Sequence, residues 1–331
     1  MKDWHLRMTI TSFCNYECAY CSRTHPKVYL DKKEIIEILE AAFSTGIKRV
    51  HWTGGEPSCH PGFIDCVHIA KEIGYVEQIM STNGSFANVD HLLASPIDRF
   101  NVSLDTLDEN LFSKLTNRNN LHHVLDFITM AHKADKPIKI NCVVMRDNIN
   151  EIPMMIDRFS RLNTIGKKNI VLRLIQFYPS NPNQIDIEGQ KYWAVQYVTY
   201  EEILEKIGKH KATQTDGDNP TFKYFELEDY PLKVGVLAMF SWNYICGGCM
   251  KMRVTPYGEA SICLSDEKIF RLKGLSIEEK IETIRNAMKR RENINAKSRQ
   301  HFNPHLGIFR FGVSDKKTTI SELYNCLEQN R

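Results

Sequence analysis

The sequence contains no apolar run that approaches the roughly 18 residues needed to cross a membrane. Its opening stretch, MKDWHLRMTI, has no apolar segment followed by a small-residue cleavage site, so no secretory signal is predicted. The net charge of +3 over 331 residues is nearly balanced and does not indicate a chain-wide surface for lipids or nucleic acids. We therefore expect a cytoplasmic protein that has neither a membrane nor a nucleic-acid polymer as its partner.

The sequence also lacks low-complexity tracts and any repeat other than a β-then-α unit. This unit recurs six times, which predicts parallel strands joined by right-handed crossovers. The predicted strands are His5–Ile10, Arg49–Thr53, Gln78–Ser81, Phe100–Leu104, Ile138–Met145 and Ile170–Phe177. The predicted helices are Lys32–Phe43, Phe63–Ile73, His91–Ala94, Glu109–Leu115, Leu121–Ala134 and Ile152–Leu162. Six units favour an α/β fold with a partial (β/α)6 barrel over a closed eight-fold barrel.

The alternation stops after about Ser180, which divides the chain into a barrel at residues 1–180 and a C-terminal extension at residues 181–331. The stretch KATQTDGDNP, residues 211–220, is predicted to be a polar connector. A helix is predicted over Ile277–Arg291, with Ser276 as its N-cap and Glu279 three residues on. The basic segment RNAMKRRENINAKSRQHFNPHLGIFRFG, residues 285–312, is expected to be a solvated helix face followed by a loop.

The chain has ten cysteines, but a disulfide framework is typical of small secreted domains rather than of a chain this long. Four of them are scattered and are expected to be ordinary thiols: Cys59, Cys66, Cys142 and Cys326. The other six form two groups of three.

The first group is Cys14, Cys18 and Cys21, in the stretch TSFCNYECAYCSR. Three thiols in one loop can bind zinc or an iron–sulfur cluster. Structural zinc usually has four protein ligands, and here His25 or His51 would have to complete the site. A cubane cluster held by three cysteines keeps one iron open for a substrate or cofactor.

The second group, Cys246, Cys249 and Cys263, has the spacing C-x2-C-x13-C. Gly247 and Gly248 allow a tight loop, and the turn TPYGE would bring Cys263 back towards the pair. A zinc site with a distant fourth ligand remains an alternative.

The first cysteine group, followed by TGGEP at Thr53–Pro57, resembles the signature of the radical S-adenosylmethionine (SAM) superfamily. The resemblance implies that the open iron binds SAM and that the reduced cluster cleaves it to a 5′-deoxyadenosyl radical, which abstracts hydrogen from a substrate. It makes the three cysteines the catalytic centre. It also implies a SAM site formed by Tyr20, Gly54, Gly55, Glu56, Thr82, Asn83, Ser103 and Tyr178.

Three further segments, Ser103–Thr116, Lys139–Pro153 and Leu172–Pro179, resemble the GTP 3′,8-cyclase family of molybdenum cofactor biosynthesis. This resemblance implies that the second cysteine group holds a second 4Fe–4S cluster. It implies a phosphorylated nucleotide as substrate and an electron donor such as flavodoxin or ferredoxin. The substrate residues that it implies are Arg7, Arg49, His51, Lys139, Arg173, Lys251 and Arg253.

The chain departs from this family at several positions. Lys251 stands where the family has an arginine, His51 replaces a permanent cation, and the end YNCLEQNR lacks the family's double glycine. These departures leave three alternatives open: modification of another nucleotide or nucleoside, modification of a peptide, and a non-enzymatic zinc- or cluster-binding module.

Overall fold

The computed structural model describes most of the chain. The described residues are 4–21, 27–86, 88–177, 192, 194–208, 210–217, 222–237, 249–263 and 268–298. Within these ranges no helix combines the length and the apolar character needed to cross a membrane. Tyr178, Cys246 and His25 lie outside the described residues.

The first part of the chain alternates strands and helices, as the sequence predicts. Its elements are β1 (His5–Thr9), α1 (Lys32–Ser44), β2 (Arg49–Thr53), α2 (Phe63–Ile73), β3 (Glu77–Thr82), α3 (Val89–Ala94), β4 (Arg99–Ser103), α4 (Glu109–Thr116), α5 (Leu121–Lys133), β5 (Ile138–Val144), α6 (Ile152–Ile165) and β6 (Ile170–Gln176). Local signals set the helix starts. The side chains of Asp31 and Asp108 cap α1 and α4 by accepting backbone N–H groups.

The second part of the chain is less regular. Its elements are α7 (Tyr200–Gly208), β7 (Ala212–Thr215), β8 (Lys223–Leu227), β9 (Tyr230–Leu237), β10 (Lys251–Val254), β11 (Glu259–Ser261), β12 (Phe270–Arg271) and α8 (Ile277–Ser298). The prediction of a connector over residues 211–220 is wrong for β7, because Ala212–Thr215 pair with β8. The predicted capping box of α8 is confirmed: Ser276 N–H donates to the Glu279 carboxylate at 2.8 Å, and Glu279 N–H donates to Ser276 Oγ at 3.2 Å.

The twelve strands of the described residues form one sheet in the order β12-β11-β10-β1-β2-β3-β4-β5-β6-β9-β8-β7. Strands β1 to β6 are parallel and adjacent in chain order, which confirms the partial (β/α)6 barrel. The extension adds strands at both edges, with β9 parallel to β6 and β10 parallel to β1. The division at residue 180 stays a prediction, since the sheet continues across it.

The two faces of the parallel strands differ in polarity. Leu6 and Met8 of β1 and Trp52 of β2 are fully buried on the side that the helices cover. The alternate residues point to the opposite side, the interior of the partial barrel, which we call the lumen. There β1 and β2 place His5, Arg7, Arg49 and His51. The alternation therefore builds an apolar core outside the sheet and a polar, basic lumen inside it.

Candidate active site

The first cysteine group lies in the loop that follows β1, at the carboxyl end of the parallel strands. Two backbone bonds attach this loop to the end of α4: Glu17 N–H donates to the Thr116 carbonyl at 3.2 Å, and Ala19 N–H donates to the Leu115 carbonyl at 2.8 Å. The loop is therefore attached to the barrel through the end of α4.

The three thiols of this loop are close enough to influence one another. Burial raises the pKa of Cys14, and the charge of Cys21 adds to the effect. Burial likewise raises the pKa of Cys18, with contributions from both other thiols. Cys14 Sγ accepts a bond from Tyr16 N–H at 3.4 Å and faces Asn83 Nδ2 at 3.8 Å. Three clustered thiols with amide donors around them fit an iron–sulfur cluster, whose sulfurs are tuned by such hydrogen bonds.

The glycine pair after β2 packs directly on the cysteine loop. Gly55 N–H donates to the Thr11 carbonyl at 2.8 Å, and Glu56 N–H donates to the Phe13 carbonyl at 2.9 Å. A Cβ on Gly55 would lie 2.1 Å from the Phe13 carbonyl oxygen, and one on Gly54 would lie 2.8 Å from that of Thr11. Glycine is thus required here for the approach of two protein segments, whatever ligand the site also holds.

Glu56 is a buried carboxylate with a full set of donors. It accepts bonds from Thr82 Oγ1 at 2.9 Å, from Asn83 N–H at 2.7 Å and from Ser58 Oγ at 3.0 Å. Burial raises its pKa to about 7. These contacts tie the end of β2 to the end of β3 and so fix Asn83 beside Cys14.

A second buried carboxylate, Asp105, supports the other side of the loop. Its carboxylate accepts hydrogen bonds from the Tyr20 hydroxyl and from the backbone N–H of Val143, the latter at 2.8 Å. Burial raises the pKa of Asp105 to about 6. Asp105 directly follows the predicted strand Phe100–Leu104, but the sequence alone assigns it no role.

These groups surround one cavity of about 290 Å³. Its lining includes Cys14, Cys18, Cys21, Tyr20, Gly54, Gly55, Glu56, Thr82, Asn83 and Ser103, together with Arg7, Asp105 and Asn141. Every described residue of the expected SAM site is therefore brought to one place. The cavity fits a ligand that contacts both the thiols and the ends of β2, β3 and β4.

The basic residues of the lumen come together through strand register. Arg7 lies opposite Arg253 of β10 on one side and opposite His51 of β2 on the other. Lys251 lies opposite His5 on the neighbouring strand. Residues far apart in the sequence are thereby placed in two adjacent cross-strand rows.

Electrostatics support this grouping. Burial lowers the pKa of Lys251 to about 8, and the charges of Arg7, Arg253 and Arg173 lower it further. Burial also lowers the pKa of His51 well below its usual value, with Arg7 and Lys251 adding to the shift. A buried site in which cations repel one another favours an anionic ligand.

Several of the predicted substrate residues also contact other side chains of the protein. Arg49, at the start of β2, pairs with Glu77 at 3.6 Å. Arg173 on β6 donates from Nη2 to the hydroxyl of Tyr224 at 2.9 Å, and its guanidinium lies 4.5 Å from the ring centre of Phe222. Lys139 is buried on β5, opposite Asn101 of β4.

Tyr224 reaches Arg173 because a glycine lies between them. Tyr224 on β8 is paired with Gly235 of β9, which in turn is paired with Arg173 of β6. A Cβ on Gly235 would lie 2.8 Å from the Tyr224 ring, so the ring crosses β9 at this position. No local sequence signal marks this contact, because it depends on the pairing of β9 with both β8 and the distant β6.

The two described thiols of the second cysteine group lie at the opposite end of the sheet. Cys249 precedes β10, and Cys263 follows β11, which is antiparallel to β10. Both thiols are therefore at the amino end of β1 and its parallel neighbours. Burial lowers the pKa of Arg253, while the charges of Cys249 and Cys263 oppose the shift, as expected for neighbours in space. The described part of this group fits a second cluster at the far end of the lumen.

The zinc alternative for the first group loses one of its candidate ligands. His51 Nε2 lies 2.7 Å from Ser81 Oγ and 3.4 Å from Asn101 Nδ2, inside the lumen. Among the described residues, no three His, Cys, Asp or Glu side chains are placed to hold a single metal ion.

Comparison with known proteins agrees with this geometry. Residues 8–159 match the model of the radical SAM superfamily, and residues 171–302 match the model of the molybdenum cofactor synthesis C-terminal domain. A GTP 3′,8-cyclase from Clostridium perfringens is 33% identical over 274 residues, which cover 78% of this chain and 80% of the relative. Molybdenum cofactor biosynthesis protein 1 of Drosophila melanogaster is 28% identical over 327 residues, which cover 93% of this chain and 55% of that protein.

Solved structures share the fold at lower identity. SuiB of Streptococcus suis bound to S-adenosylmethionine has a TM-score of 0.61 at 15% identity, over 84% of this chain and 65% of SuiB. The structure of anSMEcpe with bound AdoMet and a peptide has a TM-score of 0.59 at 13% identity, over 87% of this chain and 83% of that one. The sequence relatives decide the family: the chain belongs to the GTP 3′,8-cyclase family of radical SAM enzymes, whose cofactors are S-adenosylmethionine and two 4Fe–4S clusters.

Proposed function

We propose that this enzyme acts on a phosphorylated nucleotide held in the lumen between two 4Fe–4S clusters. GTP, the substrate in the name of the Clostridium relative, is the nucleotide we propose. The observation that carries this proposal is the set of basic side chains that share the lumen between the two cysteine groups. Arg7, Lys251 and Arg253 influence one another electrostatically although they come from β1 and β10.

The carboxyl end of the sheet would hold the radical-generating cofactors. Cys14, Cys18 and Cys21 would ligate the first cluster, with Tyr20, Gly54, Gly55, Glu56, Thr82, Asn83, Ser103 and Tyr178 around SAM. When bound, the reduced cluster and SAM supply a 5′-deoxyadenosyl radical that removes a hydrogen atom from the substrate. Asn83 orients Cys14, and the Tyr20–Asp105 contact fixes the end of the cysteine loop.

The centre of the lumen would bind the phosphates. A desolvated cation is costly without a counter-charge, and phosphate oxygens accept strong charge-assisted bonds from arginine and lysine. Arg49, His51, Lys139 and Arg173 complete the proposed substrate set. Tyr224 keeps the Arg173 guanidinium at a fixed position, so the phosphate site is partly preorganised.

The amino end of the sheet would hold the second cluster on Cys246, Cys249 and Cys263. We propose that residues 1–180 carry the radical chemistry and that residues 181–331 contribute this second cluster. A cytoplasmic location and a small electron donor such as flavodoxin or ferredoxin belong to the same proposal, since the first cluster needs single electrons.

The proposal is tested by comparing ligands that differ in phosphate alone. GTP should bind the anaerobically reconstituted protein more tightly than guanosine. Loss of a charge-assisted bond should make Arg253→Ala bind GTP about ten- to a hundred-fold more weakly, with little effect on guanosine. Arg271→Ala, which removes an exposed arginine from β12, is the matched control. Equal binding of GTP and guanosine by the parent protein would contradict the phosphate site.

A further inference from the structure

Helix α8 is fixed against the barrel by a buried ion pair. Lys280 has no exposed surface, and its ammonium lies 2.8 Å from the Glu37 carboxylate and 3.4 Å from that of Glu34, both on α1. Ile284 and Ala287 continue the buried face at helical spacing. The expectation that this basic segment presents a solvated face is therefore wrong for the side of α8 that meets α1.

Arg291 continues the same face one turn further on. Its side chain is only 2% exposed, and its Nε donates to the backbone carbonyl of Cys249 at 2.9 Å. Within the described part of the chain, no carboxylate pairs with this guanidinium. The pKa of Arg253 is lowered by burial, and the positive charge of Arg291 lowers it further. Arg291 is thus a buried cation beside one cysteine of the second group.

A buried cation needs a counter-charge, and among the described residues no carboxylate pairs with Arg291. Arg253 adds positive charge, which makes the requirement greater. The missing anion fits a cluster held by cysteine thiolates, because its ligands carry negative charge and a reduced cluster carries one more. Cys249 and Cys263 lie where their charges act on Arg253, so they also lie near Arg291.

We infer that Arg291 is a positioning residue for the second cluster: it holds the Cys249 carbonyl and places a positive charge beside the cluster. The inference rests on the proposed assignment of Cys246, Cys249 and Cys263 as cluster ligands. A cation at this place stabilises the more negative, reduced form of the cluster and therefore raises its reduction potential. This role also explains why Arg291 is buried although it belongs to a helix outside the barrel.

The inference predicts an effect that depends on the presence of the cluster. Arg291→Met keeps an apolar stem of similar length and removes the charge. Without the cluster, the variant should be at least as stable to urea as the parent, since it no longer buries an uncompensated cation. With the cluster, the parent should be the more stable of the two. A purely structural arginine would instead stabilise both forms to the same degree.

The measurements are best made in a background that holds the second cluster alone, with Cys14, Cys18 and Cys21 replaced by alanine. There Arg291→Met should shift the midpoint potential of the cluster to more negative values. It should also weaken iron retention against a chelator by about ten- to a hundred-fold, as expected for a residue that supports a ligand. Arg291→Lys, which keeps the charge, should restore the potential. Arg285→Gln, an exposed arginine of α8, is the matched control.

The possible failures are distinct. An unchanged potential in Arg291→Met, with the cluster present, would overturn the inference alone. Equal destabilisation of the cluster-free and cluster-loaded forms would do the same. A background variant that binds no iron would overturn the proposed second cluster, and the inference with it.

Discussion

Glu56 shows how one residue of the proposed SAM site can also join two strand ends. The sequence pattern assigns it to SAM binding, and it does line the cavity beside the cysteines. Its carboxylate, however, is already used by donors from Thr82, Asn83 and Ser58. It therefore joins the ends of β2 and β3, and its backbone is the part that faces the cysteine loop.

The buried Glu56 carboxyl should make stability depend on pH. Its pKa is raised to about 7 from 4.5 because burial disfavours the charged form. The folded state thus binds this proton more tightly than the unfolded state does. The contribution of this protonated carboxyl to the free energy of unfolding is fully present below pH 4.5. It is lost as the pH rises through about 7, a change of about 3 kcal/mol.

Urea unfolding of the cluster-free protein between pH 4.5 and 8 measures this effect. Glu56→Gln cannot ionise, so its free energy of unfolding should fall less over this interval than that of the parent. Glu72→Gln, an exposed carboxyl of α2, should retain the parent's pH profile. Identical profiles for the parent and Glu56→Gln would show that the carboxyl titrates normally.

The sequence identified single residues well where chemistry or a motif marks them. The thiols and glycines of the first group could be named because their spacing is local. Asp105, Tyr224 and Arg291 could not, because each acts through a partner far away in the sequence: Tyr20, Arg173 and Cys249. Such contacts depend on strand order and helix docking, which a single sequence does not specify.

At the scale of elements, the cysteine loop depends on two neighbours, the end of α4 and the glycine pair after β2. The pair can approach because Gly55 has no side chain. A methyl group there would meet the Phe13 carbonyl oxygen at 2.1 Å, which is backbone and cannot rotate away. One added carbon atom should therefore displace the loop that carries all three thiols.

Gly55→Ala should lose the first cluster and keep the second. After anaerobic reconstitution the parent should hold about eight irons per chain and the variant about four. Gly208→Ala is the matched control, because a Cβ at Gly208 meets nothing within 4 Å. Iron analysis and SAM cleavage without substrate report the result. Full cleavage activity in Gly55→Ala would contradict the packing argument.

The elements themselves were predictable to different degrees. The bounds of β1 to β6 and of their helices follow the sequence prediction within a few residues, because each unit has its own hydrophobic period and caps. Strands β7, β8, β9 and β12 were not predicted from the sequence, whereas the prediction of TPYGE as a turn between two extended pieces is confirmed by β10 and β11. β7 has the pattern of a polar loop, and it becomes a strand because β8 offers it an edge. The placement of β10 beside β1 likewise comes from long-range pairing.

For the whole molecule, the sheet places the two cysteine groups at opposite ends. β1 leads into the first group at its carboxyl end, and the parallel β10 begins just after Cys249. Arg7 and Arg253 lie between these ends on paired strands. This arrangement separates the two proposed clusters by the length of the strands, with the basic lumen between them.

Because the two ends of the sheet are separate, we expect that either cluster can be removed while the other is retained. Cys249→Ala combined with Cys263→Ala should leave about four irons per chain and should still cleave SAM in the absence of nucleotide. The triple alanine variant of Cys14, Cys18 and Cys21 should also keep about four irons but lose SAM cleavage altogether. Cys66→Ala, a buried thiol of α2, should keep about eight irons and serves as the control. The contradicting outcome is a Cys249 and Cys263 variant that also loses the iron of the first cluster while its fold is intact by circular dichroism. That result would show that the two ends of the sheet are coupled and that the two cluster sites do not form independently.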